Sequence, residues 1–271
     1  MSSKTKKRYG LINDIVLEQR ALSVGALAEV LDASTQTIRR HVDQLYAGGL
    51  LKRRHGRVEP SPWQSKTPFD QSGSNNLPEK RNIGEAAAEL IPDGSTVFIS
   101  IGSTPISVAR ELRHRKGLTV ITNNLRAAMA LSDEMTNRII LPGGELRLPD
   151  CNILGEEVLA FFFCYRAEFC VFGVAGVAED GSLLEFHAAE ARVRKRIIAN
   201  ALRSILAVDH LKFGRLAPAV CKNIGDVETL ILDLLPNQNF ASMVERLCDK
   251  LILADDQNPA GFSTISFPTK K

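Results

Sequence analysis

The sequence predicts two folded units in one chain. The first is a small N-terminal α+β unit of short helices and a β-hairpin; the second is a larger α/β unit on a mostly parallel sheet. Three observations predict this. The 271 residues suit two domains better than one, and 44% of them are apolar, enough to fill two cores. Basic side chains crowd one end: residues 1–57 hold eleven Lys and Arg against five acids, a net of +6, so the rest of a chain of net +3 carries −3. From residue 78 onward, strand-like apolar runs alternate with helical spacing, the pattern of a parallel sheet covered on both faces.

Leu11, Ile12, Ile15 and Val16 recur at helical spacing and predict a first helix. Ser23 is placed to cap a second, whose apolar side is Val24, Leu27, Ala28 and Leu31. Asp32-Ala33 makes a tight turn, and Ser34 caps a third helix with Ile38, Val42 and Leu45 inward. Gly48-Gly49 then stop that helix. Residues 50–53 and 57–58, joined by a turn near His55-Gly56, predict two short strands that close this unit at residue 58. Residues 59–77 read as a linker, with Pro60, Pro62, Pro68 and Gly73 among Ser, Asn and Gln, and with Trp63 and Phe69 pinning it locally.

The second unit is expected over 78–254, with helices at 79–91, 105–114, 124–132, 156–163 and 188–202. Strands are expected at 96–101, 118–122, 138–141, 169–174, 205–208 and 229–232, and 237–254 adds a helix and a strand. Residues 255–271 read as a flexible tail. The aromatic run Phe161-Phe162-Phe163 reads as core or subunit contact, and Gly143-Gly144-Glu145 as a turn first and a pocket wall second.

Composition excludes several classes. The longest apolar stretches, around 158–165 and 169–178, fall far short of the ~20 residues needed to span a bilayer. Asn13 and Asp14 interrupt the first hydrophobic run, so no secretion signal is predicted and the expected location is cytoplasmic. Five cysteines without a C-x-x-C pair predict neither a disulfide framework nor a zinc knuckle, but reduced packing residues. No metal, cofactor or catalytic residue is expected.

On the third helix, with Ile38, Val42 and Leu45 turned inward, Gln36, Arg40 and Asp43 face out, flanked by Thr37 and Arg39. Gln and Arg can each make two parallel hydrogen bonds to a base edge, and Thr37 and Arg39 suit phosphate oxygens at the groove rim. Lys52, Arg53, Arg54 and Arg57 would make the hairpin a basic wing along the DNA backbone. A short helix, a four-residue turn, a capped reading helix (Ser34 at its start) and a basic wing together build a winged helix-turn-helix.

In the second unit Ser100-Ile101-Gly102-Ser103-Thr104-Pro105 sits where a strand ends and a helix begins. A phosphate there can take backbone N–H bonds, the Ser103 and Thr104 hydroxyls and the helix dipole together. Asn123 and Asn124 end the next strand, and Asp209 and Lys212 end a later one. In an open α/β sheet ligands collect at such strand ends, where Asp209 would accept ligand hydroxyls and Lys212 neutralise phosphate. Glu190 and Arg194, at i and i+4 on the 188–202 helix, are either a surface ion pair or part of the same site.

The motif Ser34-x-x-Thr37-Ile38-Arg39-Arg40, with Leu45, Gly49, Leu50 and the stretch from Arg53 to Gly56, resembles the DNA-binding domain of the DeoR family of bacterial repressors. The resemblance runs on through Thr67-Pro68-Phe69, Ile101 to Pro105, Val120 to Leu125, Gly143 to Leu146, Asp180 to Leu184, Glu190-x-Arg192-Val193 and Ala207 to Arg215. It is nearest to the branch that governs glycerol-3-phosphate regulons. Departures stand at His41, Arg57, Ser100 and His187-Ala188-Ala189. The resemblance implies a sensor related to sugar-phosphate isomerase and CoA-transferase folds, with Lys80 as a second cation of the site. It implies a homo-oligomer, dimer or tetramer, on double-stranded operator DNA, answering to a phosphorylated metabolite such as glycerol 3-phosphate. Two alternatives stand beside it. One is a repressor answering to another sugar phosphate; the other is a sugar-phosphate isomerase-like enzyme with a DNA-binding head, using Asp209, Glu190 and Lys212. Against the enzyme, no Ser-His-Asp order, metal cluster or nucleotide fingerprint is visible in the sequence.

Overall fold

The computed structural model describes residues 11–12, 15–16, 21–47, 51–54, 56–60, 77–148, 150–254 and 262–267. The chain divides into two compact units, Met1–Thr67 and Pro68–Lys271. The expected stop at Gly48-Gly49, the His55 turn residue and linker positions 61–76, Trp63 and Phe69 included, lie outside the described residues.

In the N-terminal unit, helical backbone at 11–12 and 15–16 precedes β1 (Leu22–Ser23), α1 (Val24–Val30), α2 (Thr35–Ala47), β2 (Leu51–Arg54) and β3 (Arg57–Pro60). Capping fixes both helix starts. The Ser23 hydroxyl accepts from the Ala26 amide at 3.0 Å, and the Ser34 hydroxyl from the Thr37 amide at 3.2 Å. Ile12, Val16, Leu27, Ile38, Val42, Leu45, Leu51 and Val58 bury into one core. Two features were not foreseen. β3 runs on to Pro60, into the stretch expected as linker, and β1 pairs with it, Leu22 opposite Val58, to make a third strand.

The second unit opens with α3 (Leu77–Glu89), β4 (Thr96–Ile99), α4 (Ser103–Glu111), β5 (Thr119–Thr122), α5 (Leu125–Ala130) and β6 (Arg138–Ile140). A hairpin of β7 (Glu145–Arg147) and β8 (Asn152–Leu154) leads to α6 (Glu156–Phe163) and β9 (Ala167–Phe172). Then come β10 (Gly176–Val177), β11 (Ser182–Glu185), α7 (Ala188–Ala199), β12 (Ala201–Ala207), β13 (Ala219–Asn223), β14 (Thr229–Leu232), α8 (Gln238–Leu247), β15 (Lys250–Leu253) and β16 (Ser263–Ser266). Eight strands form one sheet in the order β16-β15-β14-β12-β9-β4-β5-β6, all parallel except β16. Alternation along the strands sorts the core. Val97 and Ile99 pack with Ile83, Ala87, Ile106 and Ala127 from α3, α4 and α5, while Phe98 packs with Phe162, Ile198 and Phe240 from α6, α7 and α8.

The structure corrects several expectations. α7 ends at Ala199, not at 202, because the Asn200 side chain donates to the carbonyls of Phe162 (2.8 Å) and Tyr165 (3.1 Å) and turns the chain into β12. The presumed flexible tail contains β16, an antiparallel edge strand that pairs Leu251 with Ile265. The β7–β8 hairpin and an antiparallel sheet of β10-β11-β13 were unforeseen, since strands of two to five residues carry too little alternation to read. Of the aromatic run, Phe162 is core, Phe161 partly buried and Phe163 exposed. Cys170, Cys221 and Cys248 are buried as packing residues, but Cys164 is exposed.

β10 passes so close to the loop after β12 that a Cβ on Gly176 would lie 2.0 Å from the Arg215 carbonyl oxygen. Gly176→Ala therefore forces backbone apart, and overpacking of this kind costs about 1–3 kcal/mol. The urea midpoint of the sensor should fall accordingly; an unchanged midpoint would contradict this packing.

Candidate functional site

The helix expected to read DNA, α2, presents Gln36, Arg39, Arg40 and Asp43 to solvent, with Thr37 half-buried. Ser34 and Thr37 are partly committed to the fold: their hydroxyls lie 2.8 Å apart at the helix start, where Ser34 serves as the cap. On the wing, Lys52 pairs with Glu59 at 3.2 Å, and Arg53 pairs with Asp43 of the reading helix. The backbone of Arg54 belongs to β2, while its side chain lies outside the described residues.

In the second unit the chain runs outward from β4 to β5 and β6, then returns to β9 on β4's other side and continues to β12, β14 and β15. Direction reverses between β4 and β9, which is where a parallel sheet opens a crevice at its carboxyl edge. The loop after β4 enters α4 through Gly102, at φ +126 and without a side-chain cap. The first-turn amides of a helix have no partner within it, so they are available to an anion. Thr104 is buried and Ser103 partly so. A Cβ on Gly173, just past β9, would lie 3.3 Å from the Ala207 carbonyl oxygen and 3.4 Å from the Pro105 ring, so three strand ends meet at this turn.

Beside the crevice lie three cations. Lys80 of α3, buried, has its ammonium 3.9 Å from Asp209 Oδ2. Lys212 and Arg215 follow Asp209 in the loop after β12. One carboxylate, Asp209, acts on all three. Burial lowers Lys80 and Arg215 below their ordinary values, against the pull of Asp209. Burial, joined by repulsion from Arg215, lowers Lys212 to about 8. Glu79 and Asp233 also pull on Lys80, and Glu185 on Lys212, and two of these acids hold further partners. Asp233 bonds His210 Nδ1 at 2.6 Å and its amide at 2.8 Å, which raises the His210 pKa, and Glu185 pairs with Arg194 at 2.8 Å. Such a cluster can attract and hold a small anion.

Other expected residues sit in the frame of the site. Asn124 accepts from the Ala127 amide to cap α5, and its side chain donates to the Ser100 carbonyl at 3.4 Å. Asn123 donates to the Ile153 carbonyl at 3.0 Å. Glu190 and Arg194 are not a surface pair: both are buried, and each has a partner on another element. Glu190 accepts from Arg147 at 2.8 Å, and Arg147 also holds Asp150. Arg194, besides Glu185, donates to the Gly173 carbonyl under the crevice. An open groove between α3 and α4, lined by Leu77, Arg81, Glu85, Ser107, Arg110 and Glu111, lies apart from these residues.

Residues 8–61 match the DeoR-like helix-turn-helix domain, and residues 75–234 match the DeoR C terminal sensor domain. The chain belongs to the DeoR family. It is 39% identical to the glycerol-3-phosphate regulon repressor of Escherichia coli, over 86% of this chain and 92% of that one. It is 37% identical to the transcriptional repressor CsqR of the same organism, over 90% and 93%. Among solved structures, the ribose 5-phosphate isomerase A of Methanocaldococcus jannaschii aligns with 69% of this chain and 97% of its own, at 13% identity and a TM-score of 0.39.

In this DeoR-family sensor, sequence reasoning missed Arg215, Asp233, Glu185 and Arg147 as parts of the site's frame. Asp233 follows β14 as Asp209 follows β12, so the rule that flagged one strand-end acid applies equally to the other. Arg147 gave no such signal, because its hairpin was unread. Among the described residues, no helix is long and apolar enough to cross a membrane.

The lowered Lys212 pKa has a thermodynamic consequence. The unfolded chain keeps this proton up to the ordinary value of 10.5, whereas the folded chain gives it up near 8. Folding therefore releases a proton between those values, and stability rises with pH across the window. Measured by urea unfolding, wild type should gain stability relative to Lys212→Met from about pH 8 to 10.5. A difference that stays flat would place the ammonium in water.

Proposed function

We propose that the protein is a transcriptional repressor that reads double-stranded operator DNA with α2 and the β2–β3 wing, and is controlled by a phosphorylated metabolite in the crevice between β4 and β9. The observation that carries this reading is the gathering of three cations, Lys80, Lys212 and Arg215, about Asp209 at the strand ends. A phosphate dianion there would gain backbone amides at α4, the Ser103 and Thr104 hydroxyls and a positive field together. Glycerol 3-phosphate is the first effector to test, since relatives similar along most of the chain are named for its regulon. Another sugar phosphate is the second. Engagement of Glu190 by Arg147 favours a regulator over an isomerase-like enzyme, because it occupies one of the acids such an enzyme would use. The protein acts in the cytoplasm as a homo-oligomer whose copies take repeated half-sites.

Arg40 stands exposed on the reading face, away from the core. Arg40→Ala should leave the fold intact and lower operator affinity about tenfold or more in gel shifts, the worth of a lost bidentate base contact. Unchanged affinity would mean that another face of α2 meets the DNA.

Lys212→Ala should bind operator like wild type but no longer respond to effector, because a ligand shifts an equilibrium only by its differential affinity for the two states. The check is DNA release titrated with glycerol 3-phosphate and glucose 6-phosphate. A variant as responsive as wild type would place the effector elsewhere. If millimolar glycerol 3-phosphate neither releases DNA nor raises the wild-type Tm, that effector is wrong.

A further inference from the structure

One side chain on the outward face of α2 has the wrong sign for DNA. Gln36, Arg40 and Asp43 are spaced by four and then three residues, so they lie one above another on a single stripe of the helix. All three are exposed, while Ile38, Val42 and Leu45 turn the other side into the core. At 1.5 Å per residue the stripe is roughly 10 Å long, close to three base-pair steps of a duplex. A carboxylate there is repelled by phosphates, yet Asp43 shares the stripe with the two side chains best suited to base edges.

The wing offsets that charge. Arg53 of β2 donates through Nη2 to Oδ1 of Asp43. The bond engages one carboxylate oxygen, and the pair stays open to solvent, Arg53 at 43% and Asp43 at 52% exposure. What such a carboxylate can take from DNA is narrow, because it only accepts. Phosphate oxygens, guanine O6 and N7, adenine N7 and thymine O4 accept as well. The donors in the major groove are the amino groups of cytosine and adenine. A carboxylate brought to that edge therefore retains a base whose amino group faces it, and rejects guanine or thymine in the same place.

We propose that Asp43 is a specificity-determining residue of the DNA interface, accepting from the amino group of one cytosine or adenine of the operator while Arg53 offsets its charge. This rests on the reading of α2 given above. Gln36 and Arg40 can bind their bases by attraction; Asp43 adds a position read as much by repulsion.

The test uses the full chain and a randomised duplex library, from which wild type, Asp43→Ala, Asp43→Asn, Arg53→Ala and Arg40→Ala each select their sites. Wild-type sites should contain a position where guanine and thymine are disfavoured about tenfold or more on one strand. In Asp43→Ala that bias should shrink to within about twofold, while affinity for unselected DNA rises because a repelling charge is gone. Asp43→Asn gains an N–H donor and should admit guanine or thymine there. Arg53→Ala breaks the same ion pair but keeps the carboxylate, so it should weaken binding to all DNA and keep the bias. An Asp43→Ala protein that selects wild-type sites overturns the proposal. So does an Arg53→Ala protein that loses the same position, which would reduce the pair to a brace for the wing. Should Asp43→Ala fail to fold, Asp43→Asn decides: sites identical to wild type overturn the proposal. Arg40→Ala reports on α2 itself. Sites changed by Arg40→Ala but not by Asp43→Ala sink this inference alone; sites changed by neither sink the reading of α2 with it.

Discussion

Parallel strands cannot be joined by a tight turn; each needs a crossover, and in this sensor most of the crossovers are helices packed on the sheet. The rest of the unit follows from that constraint. Strands buried on both faces must be apolar on both sides, and Val97, Phe98 and Ile99 are. Because the chain first builds outward from β4 and then returns to β9 on its other side, the loops after these two strands part in opposite directions. The crevice arises from chain order, before any particular ligand is considered. Small residues keep it open: Gly102 turns the chain into α4, and Gly173 lets Pro105 and Ala207 approach.

The electrostatics at the crevice are set by burial as much as by charge. Burial opposes charge on Lys80, Lys212 and Arg215, and the carboxylates around them, Asp209 foremost, pull the other way. Gathered cations at the carboxyl edge of a sheet make a field that favours an anion. The surrounding ion pairs act differently. Arg194 ties α7 to Glu185 and to the Gly173 carbonyl, and Arg147 ties the β7–β8 hairpin to Glu190. They give the crevice fixed walls while leaving the cations near Asp209.

The N-terminal unit is governed by weaker forces. Its core of short aliphatic side chains orients α2, and its basic groups lie in solvent, where an exposed pair contributes about 0–1 kcal/mol. The pairs of Arg53 with Asp43 and of Lys52 with Glu59 are therefore lost at little cost. The Arg53–Asp43 pair orients the β2–β3 hairpin against α2 without committing either side chain strongly.

The alternation of apolar runs determined the two-layered cover of a parallel sheet, because period 2 and period 3.6 are local properties of the chain. Ser23 and Ser34 announced their helices for the same reason, since a cap bonds an amide three residues away. Strand ends could be read too, so Ser103, Thr104, Asp209 and Lys212 were named from their positions, and the sheet order brings the loops that carry them to one edge. What the sequence left open was pairing between distant segments. Nothing near Glu190 signals Arg147, forty-three residues away, or shows that Arg194 reaches across to Glu185 and Gly173. The short strands of the β7–β8 hairpin and of β10, β11 and β13 exist because partners elsewhere complete their hydrogen bonds, not because their own residues demand extension. Local periodicity determined the scaffold; which charges gather about Asp209, and which distant side chains pair, only the tertiary structure decided, since both depend on distances that the chain sets by folding.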